Sequence, residues 1–334
     1  MTITTNLSLP TGYSSRPPRH EDAEAIAALI TASHREIGDD EVATAQDVLD
    51  DWQGVDIETQ AIVVTASDGC IVGSADILNR RNMRVSVYGN VAPSERGRSV
   101  GAFLVRWGEA WARQRMDAAP DGAKVAVEHF IDSQNDPALA LLEALGYSRI
   151  RTVYVMAITL DSAPPAPVWP EGVRGRAFAP GQDERATWSA VETAFQDLLE
   201  RPPGTFARWL AMTESERREP VLWRLGEEVN TGAIVGTALG KRFSGGGWVG
   251  GVGVRRDWRG KGLALALLHD LFGIYYASGV REIGLSVDAD SPSSAPSLYT
   301  RAGMRVTKNI GIFRKTLREG VSWSAFPPED EPPQ

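Results

Sequence analysis

Residues 248–254 read Trp-Val-Gly-Gly-Val-Gly-Val, in which glycine and valine take turns as the period of a strand requires. Just beyond, Ala264, Leu267, Leu268, Leu271 and Tyr275 recur at helical spacing. The turn between them, Arg259-Gly260-Lys261-Gly262-Leu263-Ala264, therefore opens a helix. A second apolar strand follows over 282–287, and after it a polar stretch leads into Ala295-Pro-Ser-Leu-Tyr299-Thr-Arg-Ala-Gly303-Met304.

The pattern occurs twice. Residues 91–105 align with 254–268, so that Arg96 and Arg259 stand 163 positions apart, as do Val72 and Val235. Downstream, Gly146 pairs with Gly303, which leaves the first copy with about six extra residues around 118–122. Each copy predicts a strand, a helical region, three antiparallel strands, the turn with its helix, a strand, a short helix and a last strand. In the first copy these fall at 16–20, 22–36, 61–66, 71–79, 84–91, 99–116, 123–129, 137–145 and 150–160; the second runs over 173–317. The expected class is mixed α/β with a largely antiparallel sheet. The expected layout is an N-terminal extension (1–13), a first domain (14–160), a proline-rich linker (161–171), a second domain (172–318) and an acidic, proline-rich tail (319–334) that is disordered toward its end.

Composition narrows the possibilities. A chain of 334 residues can bury a core in each of two domains. Its net charge of −8 opposes general binding to nucleic acid or to anionic membranes, and leaves small cationic partners mildly favoured. No apolar run could span a bilayer and the first residues carry no secretory pattern, so a cytoplasmic location is expected. Cys70 is the single cysteine, which excludes an intrachain disulfide and a cysteine-rich metal site. No pair of histidines has ligand spacing, so no metal is expected.

A helix that starts at a glycine-rich turn offers unpaired N–H groups and the positive end of its dipole to an anion. Gly260 and Gly262 let phosphate oxygens reach the main chain, and Arg259 and Lys261 add charge. Neither the Walker spacing nor Gly-x-Gly-x-x-Gly is present. The turn Arg-x-x-Gly-x-Ala at 259–264 precedes Leu-Tyr-x-x-x-Gly-Met at 298–304. This combination resembles the GNAT superfamily of acyl-CoA-dependent N-acyltransferases, over residues 14–317. The tandem form, with one copy degenerate, is similar to its mycothiol synthase-type two-domain members.

The resemblance implies two GNAT domains, acetyl-CoA as cosubstrate and transfer of its acetyl group to the primary amine of a small molecule. A monomer or a homodimer would serve. It implies that the backbone of Val252, Gly253 and Val254 holds the pantetheine and thioester, with glycines leaving open space there. Residues 259–264, with Leu263 and Ala264 opening the helix, would hold the pyrophosphate. Ser291 or Ser293 stands where many relatives contact the CoA arm through Asn. Tyr299 is the expected general acid, protonated at neutral pH because an unperturbed phenol titrates near a pKa of about 10. The base is less evident, since 248–254 contains no carboxylate and Trp248 stands there instead. Asp288 is the nearest candidate, Asp290, Glu227 and Glu228 follow, and a water chain to backbone carbonyls is equally open. In the first copy Arg96, Gly97 and Gly101 keep part of the cradle, but Ser99 replaces Gly262 and Leu142 replaces Tyr299. That copy is expected to lack catalysis; whether it holds a CoA stays open. Alternatives are an acyl-CoA-binding sensor without turnover, a mycothiol synthase-like enzyme, or acetylation of a protein amine.

Overall fold

A computed structural model describes residues 8–196, 205–207, 209–210, 219–243, 246–291 and 294–326. They belong to two compact units, Met1–Ile150 with Gly311–Trp323, and Arg151–Ile310 with Ser324–Gln334. The end of the tail, for which disorder is expected, lies outside the described residues. Among the described residues no helix is long and apolar enough to cross a membrane.

The first unit orders its strands β1 (Tyr13–Arg16), β2 (Ala61–Ala66), β3 (Ile71–Arg80), β4 (Arg84–Val91) and β5 (Val125–Asp132). The sixth place is taken by residues 311–318 of β12 (Arg305–Arg318). Pairing is antiparallel from β1 to β4 and parallel between β4 and β5. Its helices are α1 (Ala23–Arg35), α2 (Ala45–Asp51), α3 (Ile57–Gln60), α4 (Val100–Gln114) and α5 (Asp136–Ala144). Alternate residues Val85 and Val87 of β4 and Ala75 and Ile77 of β3 bury against Val100, Leu104, Trp107 and Trp111 of α4.

The second unit orders β6 (Ser148–Thr159, from Arg151 on), β11 (Glu282–Asp288), β10 (Gly246–Val254), β9 (Ile234–Phe243), β8 (Trp223–Glu228) and β7 (Val173–Ala177). Helices whose bounds lie among its described residues include α6 (Glu184–Phe195), α7 (Leu263–Ala277) and α8 (Ala295–Arg301). On α7, Leu267, Leu268, Leu271, Phe272 and Tyr275 show 0% exposure, each such burial being worth about 2 kcal/mol. This packing fixes the start of α7, and with it the glycine turn.

Both α1 and α6 begin at the same clamp. Arg16 donates to both oxygens of Asp22 at 2.6 and 2.9 Å, and Asp22 also accepts the Arg19 N–H at 2.7 Å. Arg176 grips Asp183 at 2.5 and 2.8 Å, with the Ala179 N–H at 2.7 Å. The Arg16 guanidinium holds the Asp22 carboxyl below the usual carboxylate range. Burial pushes Asp183 up, but Arg176 and the Ala179 N–H outweigh it and the net shift is downward.

Three differences from the sequence reading stand out. The first strand is Tyr13–Arg16, ahead of the expected 16–20, because Arg16 must end the strand to reach Asp22. Helices α2 and α3 were not foreseen; both are short, and α2 rests on a reciprocal cap in which the Asp47 N–H donates to Thr44 and Asp47 accepts the Thr44 N–H. Finally, the repeat assigns 150–160 to the first copy and 305–318 to the second, whereas the units exchange them. Residues 153–159 pair antiparallel with β11, from Val153↔Asp288 to Thr159↔Glu282. Residues 311–318 lie beside β5 in the first unit. Alignment assigns a strand by its place in the chain, but the strand settles where its side chains are complemented. Glu128 on β5, 1% exposed, is met by Arg314 at 2.8 Å and Arg84 at 3.1 Å. Lys315 donates to Glu109 at 2.8 Å, and Arg318 to the carbonyls of Ala123 and Pro120, each at 2.9 Å.

Arg314→Ala leaves Glu128 buried with one partner fewer, and a loss of about 3 kcal/mol is expected in urea denaturation. The clamp gives a pH test. Because Asp183 titrates lower in the folded chain than unfolded, its contribution is complete above the unfolded carboxylate pKa and disappears as pH falls through the folded value. Asp183→Asn should therefore lower the thermal midpoint at pH 7, by an amount that shrinks as pH falls through the folded value and wild type loses the same contribution.

Candidate functional site

The site begins where two parallel strands part. β10 pairs with β11 only at Gly247↔Ile283 and Trp248↔Gly284, yet β10 continues to Val254 and β11 to Asp288. On its other side β10 stays paired to β9, with Gly250 inserted as a bulge between Val249↔Gly240 and Gly251↔Leu239. Beyond Trp248, Val252, Gly253 and Val254 thus have a strand partner on one side alone, and their outward backbone groups face the fork. The closed end is pinned by Tyr275, whose hydroxyl lies 2.9 Å from the Lys241 carbonyl and 3.0 Å from that of Trp248. Burial pushes its phenol up to about 12, so it stays a donor. A Cβ on Gly247 would lie 2.8 Å from its ring, which is why glycine stands there. The sequence reading missed Tyr275 in this role; glycines on two neighbouring strands opposite one helix aromatic were the available signal.

Gly253 does not open space as expected. A Cβ there would meet Ala194 at 2.8 Å and Phe195 at 3.2 Å, so the glycine admits the end of α6 against the strand. Gly251 faces the same Phe195 ring.

The turn follows β10 through a 3-10 segment, Arg256–Trp258. Gly260 (φ +75°) and Gly262 (φ +85°) adopt the left-handed region, and nothing lies within 4 Å of a Cβ at either. Among the described residues the amides of 260–264 donate no backbone hydrogen bond outside the helix ladder, and Leu263 is buried while Ala264 is half-buried. Free N–H groups, open space and a helix N-terminus fit a diphosphate. Arg259 is fastened elsewhere than expected: it donates to the Val254 carbonyl at 3.2 Å and to Ala194 at 3.0 Å, tying strand, turn and α6 together. Lys261 lies 4.4 Å above the Trp258 ring.

The first unit repeats the frame of this turn and adds one bond, from the Arg98 N–H to the Glu95 carbonyl at 3.3 Å. Ala92 N–H to Val72 and Arg255 N–H to Val235 are equivalent, as are Phe103 N–H to Ser99 and Ala266 N–H to Gly262. Gly97 has φ +75° and Ser99 has φ +65°, so Ser99 accepts a left-handed conformation that costs about 1 kcal/mol for a residue with a Cβ. Arg96 pairs with Glu36 at 3.6 Å. A Cβ on Gly101 would lie 3.1 Å from Leu141, so glycine there also admits α5.

On the other arm of the fork, Tyr299 sits on α8, which packs against β11. Its ring is buried with 7% exposure, its hydroxyl makes no hydrogen bond among the described residues, and burial pushes its phenol up to about 12. Asp288 is engaged: it lies 3.3 Å from Arg151 and accepts the Asp290 N–H at 3.1 Å. Asp132, its counterpart at the end of β5, accepts the Gln134 N–H in the same way. Ser291 lies in the turn after β11, its N–H donating to the Asp288 carbonyl at 3.2 Å, while Ser293 falls outside the described residues. Glu227 is held between Arg174 and Arg176, and Glu228 accepts the Thr231 hydroxyl. Trp188, Phe206 and Trp209 pack with Phe178 and Trp223 as core. Away from the fork, His34, Asp39 and Glu41 bring possible metal ligands within 4.8 Å of one another at the end of α1.

The model of the acetyltransferase (GNAT) family matches residues 24–147 and again 185–304. A mycothiol acetyltransferase of Actinosynnema mirum is 31% identical over 248 residues, 73% of this chain and 80% of that protein. A crystal structure of a GCN5-related N-acetyltransferase from Sphaerobacter thermophilus superposes with a TM-score of 0.90 at 51% identity, covering 96% of this chain and 100% of that one. A tandem GNAT protein from the clavulanic acid biosynthesis pathway shares the fold, with a TM-score of 0.68 at 16% identity over 92% of this chain and 100% of that one. Two copies of the domain, each with its parted strands and glycine turn, place the chain in the GNAT family of acetyl-CoA-dependent N-acetyltransferases.

Proposed function

We propose that the second unit carries out acetyl transfer from acetyl-CoA to the primary amine of a small molecule, by direct attack of the amine. The observation that carries this reading is the pairing of an open fork with a buried tyrosine ring whose hydroxyl is unbonded among the described residues, at a position where the first unit has the buried Leu142. The amides of 260–264 hold the diphosphate, with Gly260 and Gly262 giving it room. Exposed backbone groups of Val252, Gly253 and Val254 hold the amide-bearing arm along the fork. When bound, acetyl-CoA supplies an activated acyl carbon and a thiol leaving group. Tyr299 stays protonated throughout the physiological range and donates its proton to the departing sulfur. Asp288 belongs to the turn and to Arg151, so we assign it to positioning Ser291 and α8. The amine proton then leaves along water held by the fork's carbonyls to bulk solvent, from which Tyr299 regains the proton it gave to sulfur. The curated relatives favour one acceptor in particular, that of the mycothiol acetyltransferases, which belongs in any substrate panel.

Thiol release from acetyl-CoA with a panel of primary amines tests the reading; binding without release for any amine would establish a non-catalytic sensor instead. Tyr299→Phe is expected to lower kcat roughly 100-fold with the KM for acetyl-CoA little changed. Since the raised phenol pKa keeps the acid form up to about 12, kcat/KM should climb as the amine deprotonates and show no descending limb below a pH of about 10. An unchanged kcat in Tyr299→Phe, or a descending limb near neutrality that this change removes, would refute the assignment.

A further inference from the structure

We infer that the first unit takes up no CoA, so that each chain holds a single acyl-CoA; this rests on the assignment of the second unit as the acyl-CoA site. The first fork is filled by side chains. β4 and β5 pair through Val87↔His129, and the next residue on each arm, Tyr88 and Phe130, stack with ring centroids 5.3 Å apart and planes inclined by 11°. The equivalent of Tyr88 is Gly251, since Tyr88↔Asp76 on β3 corresponds to Gly251↔Leu239 on β9. The equivalent of Phe130 is Ser286, because it stands two residues beyond Glu128, as Ser286 stands two beyond Gly284 in the matching pairs Ser86↔Glu128 and Trp248↔Gly284. Two stacked rings, carried by the strands themselves, therefore stand at the mouth where the second unit has Ser286 and Gly251, the latter packed against the Phe195 ring of α6. β4 also lacks the bulge of β10, keeping unbroken register with β3 from Arg84 to Val91.

Charge points the same way. Residues 255–264 carry Arg255, Arg256, Arg259 and Lys261 against Asp257, an excess of cations beside the helix N-terminus. At the first turn Arg96 is paired with Glu36 at 3.6 Å and Arg98 with Glu95 at 3.6 Å. Glu95 also accepts the Tyr13 hydroxyl, so a carboxylate is fixed beside that turn where the second unit has Trp258. A diphosphate at 97–101 would meet balanced charge and an arm blocked by Tyr88 and Phe130. The turn itself keeps its shape, since Ser99 adopts the conformation of Gly262. Closure lies in the fork and the charge, and the serine is not its cause.

Calorimetric titration of the full chain with acetyl-CoA should saturate at one equivalent. Hydrogen exchange on the same unmodified chain should show acetyl-CoA slowing the amides of 260–264 and leaving 97–101 unchanged. The Gly97→Val chain should still bind one equivalent. Two equivalents, or slowing at 97–101 as well as at 260–264, would overturn this inference and leave the second unit's role intact. Slowing confined to 97–101 would overturn both.

Discussion

Everything in the second unit's site depends on two parallel strands that stop pairing. Backbone donors and acceptors freed from a ladder are costly unless water or a ligand meets them, so a sheet tolerates such a fork only when its surroundings hold it. Here β9 keeps β10 paired on the far side at every position but Gly250, whose bulge turns the strand, and Tyr275 fastens the closed end at two carbonyls. Arg259 then bonds the last residue of β10 to the end of α6. The glycine turn can face a diphosphate because the strand before it and the helix after it are both immobilised.

The two copies act as each other's control. What both retain serves the architecture: the Arg16–Asp22 and Arg176–Asp183 clamps, the turns capped by Asp132 and Asp288, the left-handed start of α4 and α7. What only one has is Tyr299 and the bulge in the strand before the turn. Asp288 and its counterpart Asp132 cap the same turn in both units.

Much of this was legible because the turn and the helix after it are local. Glycines at the left-handed positions, the apolar stripe of α7 and the duplication itself are patterns within short windows, and periodicity exposes them. Other features depend on contacts between distant positions. Gly253 reads as a source of open space until Ala194 is found against it, and the sequence does not show that the Arg259 guanidinium also meets two carbonyls. Helix α2 is short, and its single clue was a capping pair, Thr44 with Asp47. The last strands were misallotted because a repeat records ancestry, while pairing follows complementary charge such as Arg314 with Glu128.

That exchange has a consequence for descent. Once two sister domains have traded a strand, neither can be discarded by losing one half of the gene, because the loss also removes part of the survivor. Selection can then relax on the reactive groups of one sister while still preserving its scaffold. The first unit, which keeps the shape of its turn while Leu142 stands in the place of Tyr299, has the form such a history would leave.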